Sequence, residues 1–596
     1  WVSKLTGRDT YYLESDYRPC PLSVHYETYY DGDNIYWEKE AQKVGTACAI
    51  CEYYPDDKFL IFCHTIETGN TMIKSLLKHG IEAEFHNSTL DMKKRMDLEN
   101  RFKNDKKFRV LVATSTLAWG CFRHKSILTG ENGRPIRVEE VNVGDRLLCP
   151  VGGKYENRLV VKIQDFHKDE GYFVELETGE QMVVSTDHLF WAASKRKSPE
   201  WVCVEDIKKG DLLATPSDYG FWNKEIQYDD FWYLVGFGFG DGSITLCGKY
   251  KDGNNKFVLN FCLGERNSHS QFVSMNFNKL FNTNCIIRDD SNGVPYISTK
   301  RRSIVEKFVK ILPNGRKNGT EKIPDELYEN QEKAANFLSG WFSIPVLNSF
   351  ALLDGGVEKH DDKNMSVGLS CISKRSIMAA RSLLLCFGIR STMGRKKVKG
   401  SIIKGRYQKA TRKWSYRLRI FGFESLEKFH RLIGFKHKNK SNKLVDYLKS
   451  ISKEKSIKEI IPAREMILNH LEKNNMSGTD FKTITGSDLW NSVHKQDCNK
   501  STIKKLIDNT IIKTELNQLF DSSIYWSRIK NIKKCNGGTF REIEVEDPHA
   551  YIGGNVISHN CNLPARRVVV VGCHRGLTDA PTHPPPHTTR PPPRPP

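Results

Sequence analysis

Over residues 1–120 short apolar runs alternate with amphipathic spacing. Residues 58–63 and 108–113 are buried-strand patterns. Residues 71–79 have helical spacing, with Met72, Leu76 and Leu77 assigned to one face, and 82–86 read as a strand. Residues 91–102 are charged and helical. Strand–helix alternation of this kind predicts a parallel sheet. At Cys121 the pattern changes. Residues 126–129, a turn at 130–133 and residues 136–138 predict a hairpin, and 172–176, Thr178-Gly179 and 182–184 predict another. Residues 228–450 are mixed, with two helix-then-strands patterns; 455–523 are helical and basic; 525–557 return to strands. From Cys561 the first pattern resumes, with a buried-strand run at 566–571. Residues 581–596 are Pro-rich and cannot form a packed core. No internal repeat shorter than a domain is visible.

The chain has 596 residues, room for about four domains at ~150 residues each. No apolar run approaches the ~20 residues that span a bilayer, so no membrane partner is expected. The chain opens with Trp1 and shows no signal-peptide pattern, which reads as a piece of something longer. Its 16 cysteines are sparse for this length, which predicts free thiols in a reducing, intracellular compartment, cytoplasm or nucleus. Cys48 and Cys51, a CxxC pair without a second pair, read as two helix thiols. The net charge of +20 sits almost wholly in residues 121–560, which hold 70 Lys and Arg against 52 Asp and Glu. Such an excess favours phosphate backbones through counterion release; the competing reading is a merely soluble basic surface.

The two boundaries of that segment carry chemistry. A Cys121 thiolate can attack the carbonyl of Gly120 and turn an amide into a thioester. Cys561 can take over the upstream chain from that thioester. Asn560 can cyclise onto its own carbonyl and cut the chain before Cys561. His559 stands beside that carbonyl as a proton donor. His188, after a hairpin strand, can protonate the leaving nitrogen of Cys121, and Ser185 can orient it. Residues 542–551 supply acids and His549 just upstream of Asn560. Joining Gly120 to Cys561 continues one α/β pattern.

These residues resemble an intein. Cys121-Phe122-Arg123-His124 with Val143-Gly144-Asp145 matches the N-terminal splicing block. Ser185-Thr186-Asp187-His188 matches the Thr-x-x-His block with Ser in the Thr place, and Val556 to Cys561 matches the C-terminal block. The resemblance implies an all-β, horseshoe-like Hint splicing fold in residues 121–227 and 524–560. It also implies autocatalytic excision of 121–560 without a cofactor. Glu542 stands where inteins often carry Asp or Cys.

Within the insert, residues 233–243 form a Gly-rich apolar helix ending in Asp241. This resembles the first motif of a LAGLIDADG homing endonuclease, an α+β two-repeat fold, here over 228–450. The resemblance implies closely packed motif helices, a terminal acid on each for Mg²⁺, and double-stranded DNA as partner. The second motif, 337–346, has Pro345 at the acid position, so impaired cleavage is expected. Residues 395–419 hold 11 Lys and Arg and no acid. A cationic ribbon fits the major groove, with Arg395, Lys396, Lys397, Lys399, Arg412, Lys413, Arg417 and Arg419 as candidate contacts. The competing reading is a solvated basic hairpin. Residues 451–523 are read as a helical, basic accessory region.

The flanks, 1–120 and 561–580, resemble the second RecA-like domain of a superfamily-two helicase of the DEAD/DEAH-related groups. Thr114, Ser115, Thr116 and Gly120 lie in the motif that contacts nucleic acid and senses ATP. The resemblance implies DNA or RNA and ATP as ligands of the complete host alone, because no phosphate-loop motif is present in this chain. A monomer is expected. The alternative is a standing, non-splicing, multidomain nucleic-acid-binding protein; a Hedgehog-like domain that cleaves without ligation shares the fold and is disfavoured by the resumed host sequence.

Overall fold

The computed structural model describes residues 36–559 apart from 64–65, 88–89, 91–93, 95–96, 99–100, 103–104, 106, 114–120, 195–196, 292, 312–321, 345–354, 360–364, 398–400, 404–405, 409–413, 452–458, 486–489, 491–492, 494–497, 510–522 and 547–549, together with 567–571. The chain divides into two compact units. One comprises residues 1–117 with 563–596, the other 118–562.

The first unit is built on a four-stranded parallel sheet. Phe59–Cys63 pairs on one side with Val110–Ala113, which in turn pairs with Ala83–His86. On its other side it pairs with Arg567–Val571. Strands from before and after the long intervening segment thus lie side by side in one sheet. Helices Tyr36–Tyr53 and Ile66–Lys78 supply the remaining core, including buried Cys48 and Cys51. Met72 and Leu76 are buried, but Leu77 is 56% exposed. The one-face assignment fails there because successive helical residues are about 100° apart. Leu76 returns close to Met72, whereas Leu77 swings well away from it.

In the second unit, two long antiparallel strands form the frame of the all-β part. Lys154–Leu176 and Ile524–Val545 pair from Leu176 opposite Ile529 to Val160 opposite Val545. Leu212–Pro216 pairs with the start of the second long strand, and Pro216 stands opposite Ile524. The Ser126 and Tyr172 hairpins form, with Ile127 opposite Arg137 and Tyr172 opposite Val184. A core of Phe122, Val174, Val184, Phe190, Leu213, Tyr551 and Val556 closes the sheet.

Between Pro216 and Ile524 the chain builds the mixed α/β material. Helix Asp230–Asp241 is followed by strands Gly242–Lys249 and Asn255–Cys262, helix Ser268–Phe281, strands Arg288–Asp289 and Pro295–Thr299, and helix Arg302–Ile311. Helix Gln331–Ser343 opens a second series of the same kind. It continues through strands Gly355–Lys359 and Met365–Cys371, helix Lys374–Cys386, strands Thr392–Lys397 and Trp414–Ile420, and helix Phe423–Leu432. In both sheets the strands lie in the order first, second, fourth, third. The two series follow the two helix-then-strands patterns read from the sequence, although no repeat is visible there in residue identity. The repeat resides in topology, which many sequences satisfy, and not in residue identity. Three further helices, Arg464–Lys473, Gly478–Thr485 and Lys500–Asn509, pack around their own small core. Among the described residues, no helix is long and apolar enough to cross a membrane.

The first helices of the two series meet backbone to backbone. A Cβ on Gly236 would lie 1.9 Å from the Phe337 carbonyl oxygen, and one on Gly340 would lie 2.0 Å from that of Tyr233. Main chain cannot swing aside as a side chain can, so any larger residue must push the helices apart. Gly340→Ala is therefore expected to destabilise the inserted domain by about 1–3 kcal/mol. Gly45→Ala, on a helix of the other unit with nothing within 4 Å of the new methyl, is expected to stabilise by about 0.5–1 kcal/mol. Urea unfolding of the two variants checks both signs.

Candidate active site

Phe122–Arg123 is a two-residue strand wedged between two others. Phe122 pairs with Val184 on one side and Arg541 on the other. This seats the preceding residue, Cys121, in the sheet interior at 1% exposure. Ser185, at the end of Gln181–Val184, clamps it in both directions. The Cys121 N–H donates to Ser185 Oγ at 2.9 Å, and the Ser185 N–H donates to the Cys121 carbonyl at 3.0 Å. The backbone at the candidate nucleophile is thus fixed by two hydrogen bonds in a dry environment, where each counts for more than in water.

His188 follows in the same turn. Its N–H donates to the Ser185 carbonyl at 3.2 Å, and its own carbonyl accepts from Val204 at 2.8 Å. The imidazole is fully buried. It meets Phe122 edge to face at 4.6 Å between centroids and Phe190 at 4.5 Å. The aromatic walls set the ring plane, while the backbone bonds set its position.

Charges surround the thiol. Burial pushes the Cys121 thiol well above its ordinary range; Asp187 and Glu542 push the same way, and Lys168 opposes them. The Lys168 ammonium is itself held by Asp187 at 2.9 Å. Glu542 is 5% exposed, its carboxyl is raised chiefly by burial, and its Oε2 has no hydrogen-bond partner among the described residues. Next to it in sequence, Arg541 faces the other way. Its guanidinium forks onto Asp165 at 2.7 and 2.6 Å and holds that carboxyl at about 2. Tyr551 is fully buried, and its hydroxyl also has no hydrogen-bond partner among the described residues. Burial first, then Cys121 and Glu542, raise that phenol. Sequence reasoning missed Tyr551, Lys168 and Asp187 as neighbours of the thiol. The alternation of the 524–545 and 550–553 strands places residues on the inner face, but says nothing of what they meet there.

The other end of the segment returns to the same place. Val556–His559 pairs with Ala550–Gly553, with Ala550 opposite His559. It also pairs with the strand that begins right after His188, where Phe190 stands opposite Ser558. The His559 ring is half-buried and rests edge to face on Trp201 at 4.7 Å. Cys121, Ser185, His188 and His559 are thereby gathered around the start of Leu189–Ala193. Gly120, His549, Asn560 and Cys561 lie outside the described residues, as do Thr114, Ser115, Thr116, Pro345, Lys399, Arg412 and Lys413.

The remaining candidates are elsewhere in this unit. Asp241 ends helix Asp230–Asp241. In the strand pair Thr392–Lys397 and Trp414–Ile420, Lys396 stands opposite Ser415 and Gly394 opposite Arg417. The pleat puts Lys396, Arg417 and Arg419 on one face, and Arg395 and Lys397 on the other. Arg395 stacks its guanidinium on Trp414 at 4.7 Å. Arg419 lines a cavity of about 210 Å³ together with Arg381, Arg390, Glu459 and Tyr525. Among the described residues, no group of three or more His, Cys, Asp or Glu side chains is arranged to hold a metal ion.

Comparison with known proteins bears on this geometry. Residues 42–121 match the helicase conserved C-terminal domain. The replication factor C small subunit of Methanocaldococcus jannaschii is 27% identical over 364 residues, covering 59% of this chain and 18% of that protein. The glutamine–fructose-6-phosphate aminotransferase of the same organism is 24% identical over 406 residues, covering 66% and 32%. Its ATP-dependent DNA helicase Hel308 is 21% identical over 599 residues, covering 85% and 47%. The chain thus spans less than half the length of these curated relatives. A solved DnaB intein from Synechocystis sp. PCC 6803 is 14% identical, covering 16% of this chain and 70% of that one at a TM-score of 0.15, a likeness too slight to establish a fold. Residues 125–560 match the family model for the intein splicing domain; the chain belongs to that family, set within helicase-related sequence.

Proposed function

We propose that this chain excises residues 121–560 and ligates Gly120 to Cys561. The observation that carries the reading is the two-way backbone clamp between Cys121 and Ser185, with the His188 turn beneath it and the His559 strand paired alongside. The pairing of Phe59–Cys63 with Arg567–Val571 supports it, because the host sheet is continuous without the insert. The curated relatives support it too. Matches of 364 and 406 residues are longer than the two flanks together, so the likeness to proteins named for unrelated activities runs through the insert.

The chemistry uses groups of the chain alone. The Cys121 sulfur attacks the Gly120 carbonyl carbon, and the C–N bond breaks. His188 delivers the proton that the freed Cys121 nitrogen needs, leaving a thioester. The Cys561 sulfur attacks that thioester, and the Cys121 thiol departs with the proton. The Asn560 side-chain nitrogen attacks its own carbonyl, closes a succinimide and releases the Cys561 amine, with His559 polarising the carbonyl. That amine then displaces the adjacent sulfur and restores a normal peptide bond. Holding these partners at attack distance supplies ~7–11 kcal/mol of the barrier. His549 is read from the sequence as a further candidate catalytic residue. Splicing on this reading needs no cofactor.

The inserted domain is read as a LAGLIDADG endonuclease that binds double-stranded DNA through its basic strands. The duplicated topology and the glycine-mediated helix contact support this. A pair of carboxylates for Mg²⁺ does not fit this sequence: Asp241 offers one, and Pro345 has none to offer. The ligated host is read as an intracellular helicase segment whose complete form uses ATP and DNA or RNA. The chain is read as a monomer.

Four experiments test these readings. Expression followed by intact-mass measurement is expected to give a ligated 156-residue product and a 440-residue insert, lengths set by the two junctions. Cys121→Ala with Asn560→Ala is expected to leave the precursor whole, and His188→Ala is expected to slow cleavage at Gly120 about 10²–10⁴-fold. Because burial holds the Cys121 thiol above its ordinary range, the thiolate fraction rises with pH throughout the neutral region. In the His188→Ala variant, where no imidazole proton donor titrates at that position, hydroxylamine-induced cleavage at Gly120 is accordingly expected to quicken about tenfold per pH unit from 6.5 to 8.5 without a plateau. A plateau near pH 7 would show a thiol already ionised. Finally, a supercoiled plasmid carrying the uninterrupted Gly120-Cys561 coding junction is expected to resist linearisation in Mg²⁺; efficient linearisation refutes the impairment.

A further inference from the structure

Glu180 takes no part in the junction chemistry, yet its side chain is 1% exposed. It sits in the turn between Lys154–Leu176 and Gln181–Val184, and three segments converge on its carboxylate. Thr178 Oγ1, from the same turn, donates to Oε2 and lies 2.6 Å from Ser527 Oγ. Asn555 Nδ2 donates to Oε1 at 2.9 Å. Arg381 Nη2 donates to Oε1 as well, and supplies the countercharge. Arg381 belongs to helix Lys374–Cys386 of the inserted domain, 201 residues away in sequence.

The placement of these groups matters more than their number. Gln181–Val184 starts one residue after Glu180 and ends beside Ser185, which clamps Cys121. Val556–His559 starts one residue after Asn555, in a turn where Asn555 takes a left-handed φ of 63°, and ends at His559. One carboxylate therefore ties together the far ends of two strands whose near ends carry the two junctions. The inserted domain holds that tie from outside. Its Met393 N–H donates to the Thr178 carbonyl at 2.8 Å, and a Cβ on Gly179 would lie 1.7 Å from the Met393 carbonyl oxygen. Its Ser382 hydroxyl donates to the Gly133 carbonyl. A carboxylate this buried does not keep its charge and place once its cation is gone. It must admit water or move, and the Asn555 turn, bonded to the same carboxylate, loses a fixed partner.

We propose that Arg381 is a positioning residue for splicing: through Glu180 it keeps the two junction-bearing strands in fixed relation, so that the inserted domain is a working part of the splicing machinery. The proposal rests on the splicing reading above.

The test uses the full chain and measures three species by intact mass: precursor, ligated product and singly cleaved fragments. The parent chain must first yield ligated product; if it does not, the splicing reading falls. With splicing established, Arg381→Ala and Asn555→Gly are expected to consume precursor still. The ratio of ligated product to cleaved fragments is expected to fall about tenfold in each, and the double variant is expected to be no worse than the poorer single one, because both act on one carboxylate. Asn555→Gly preserves the left-handed turn and tests the Glu180 tie alone. If Arg381→Ala gives no soluble chain, Arg381→Lys, which keeps the positive charge but not the guanidinium, decides the matter. A ratio between those of the parent and Asn555→Gly is then expected, and a parental ratio overturns the proposal. An unchanged ratio, or precursor that persists with no rise in fragments, overturns the proposal while leaving splicing itself in place.

Discussion

Everything at the junctions depends on the pairing of Lys154–Leu176 with Ile524–Val545. These strands are separated by several hundred residues, and neither end of the 121–560 block has a site without them. The first carries, through Gln181–Val184, the turn that holds Cys121. The second carries Glu542 and leads into the hairpin that ends at His559. The entropic cost of closing so long a loop grows only with the logarithm of its length. The inserted domain lowers it further by being folded itself. The chain leaves the splicing sheet at Pro216 and re-enters at Ile524, and these two residues stand opposite each other in one ladder. An insertion whose two ends meet in neighbouring strands disturbs the host sheet little.

That frame creates an unusual electrostatic setting. The thiol, the imidazole, the Glu542 carboxyl and the Tyr551 phenol share one dry interior. Burial disfavours the charged forms of the thiol, the Glu542 carboxyl and the Tyr551 phenol, and one paired ammonium, Lys168, is the main opposing influence on the thiol. On the proposed mechanism a weak nucleophile held beside its target stays productive, because proximity replaces intrinsic reactivity, and the same dryness would keep water from the thioester.

The inserted domain does not read as detachable in this setting. Arg381 reaches across to a carboxylate in the splicing sheet, Tyr219 and Trp222 donate backbone hydrogen bonds to Leu385 and Cys386, and Lys428 pairs with Asp218 at 3.2 Å. The close packing at Gly236 and Gly340 lies within the same domain, so its core and its contacts with the splicing sheet are held together.

Local pattern was enough to place the strands and turns, because period-2 alternation, Gly turns and the runs around Phe59, Val110 and Val568 are written in neighbouring residues. The residues proposed for the junctions sit in short contiguous blocks, around Cys121, His188 and His559-Asn560-Cys561, so the proposal could be drawn from the sequence; of these the structure describes Cys121, His188 and His559. Leu77 was misassigned because a helix face depends on an angle that near-adjacent apolar residues blur. The two helix-then-strands patterns of residues 228–450 were legible as well, but the strand order that relates them, first, second, fourth, third, is a matter of topology and not of residue identity. Glu180, Arg381 and Asn555 had no local signature at all. A buried ion pair is defined by which charges end up facing each other once water is gone, and for groups 201 and 375 residues apart only the tertiary fold decides that.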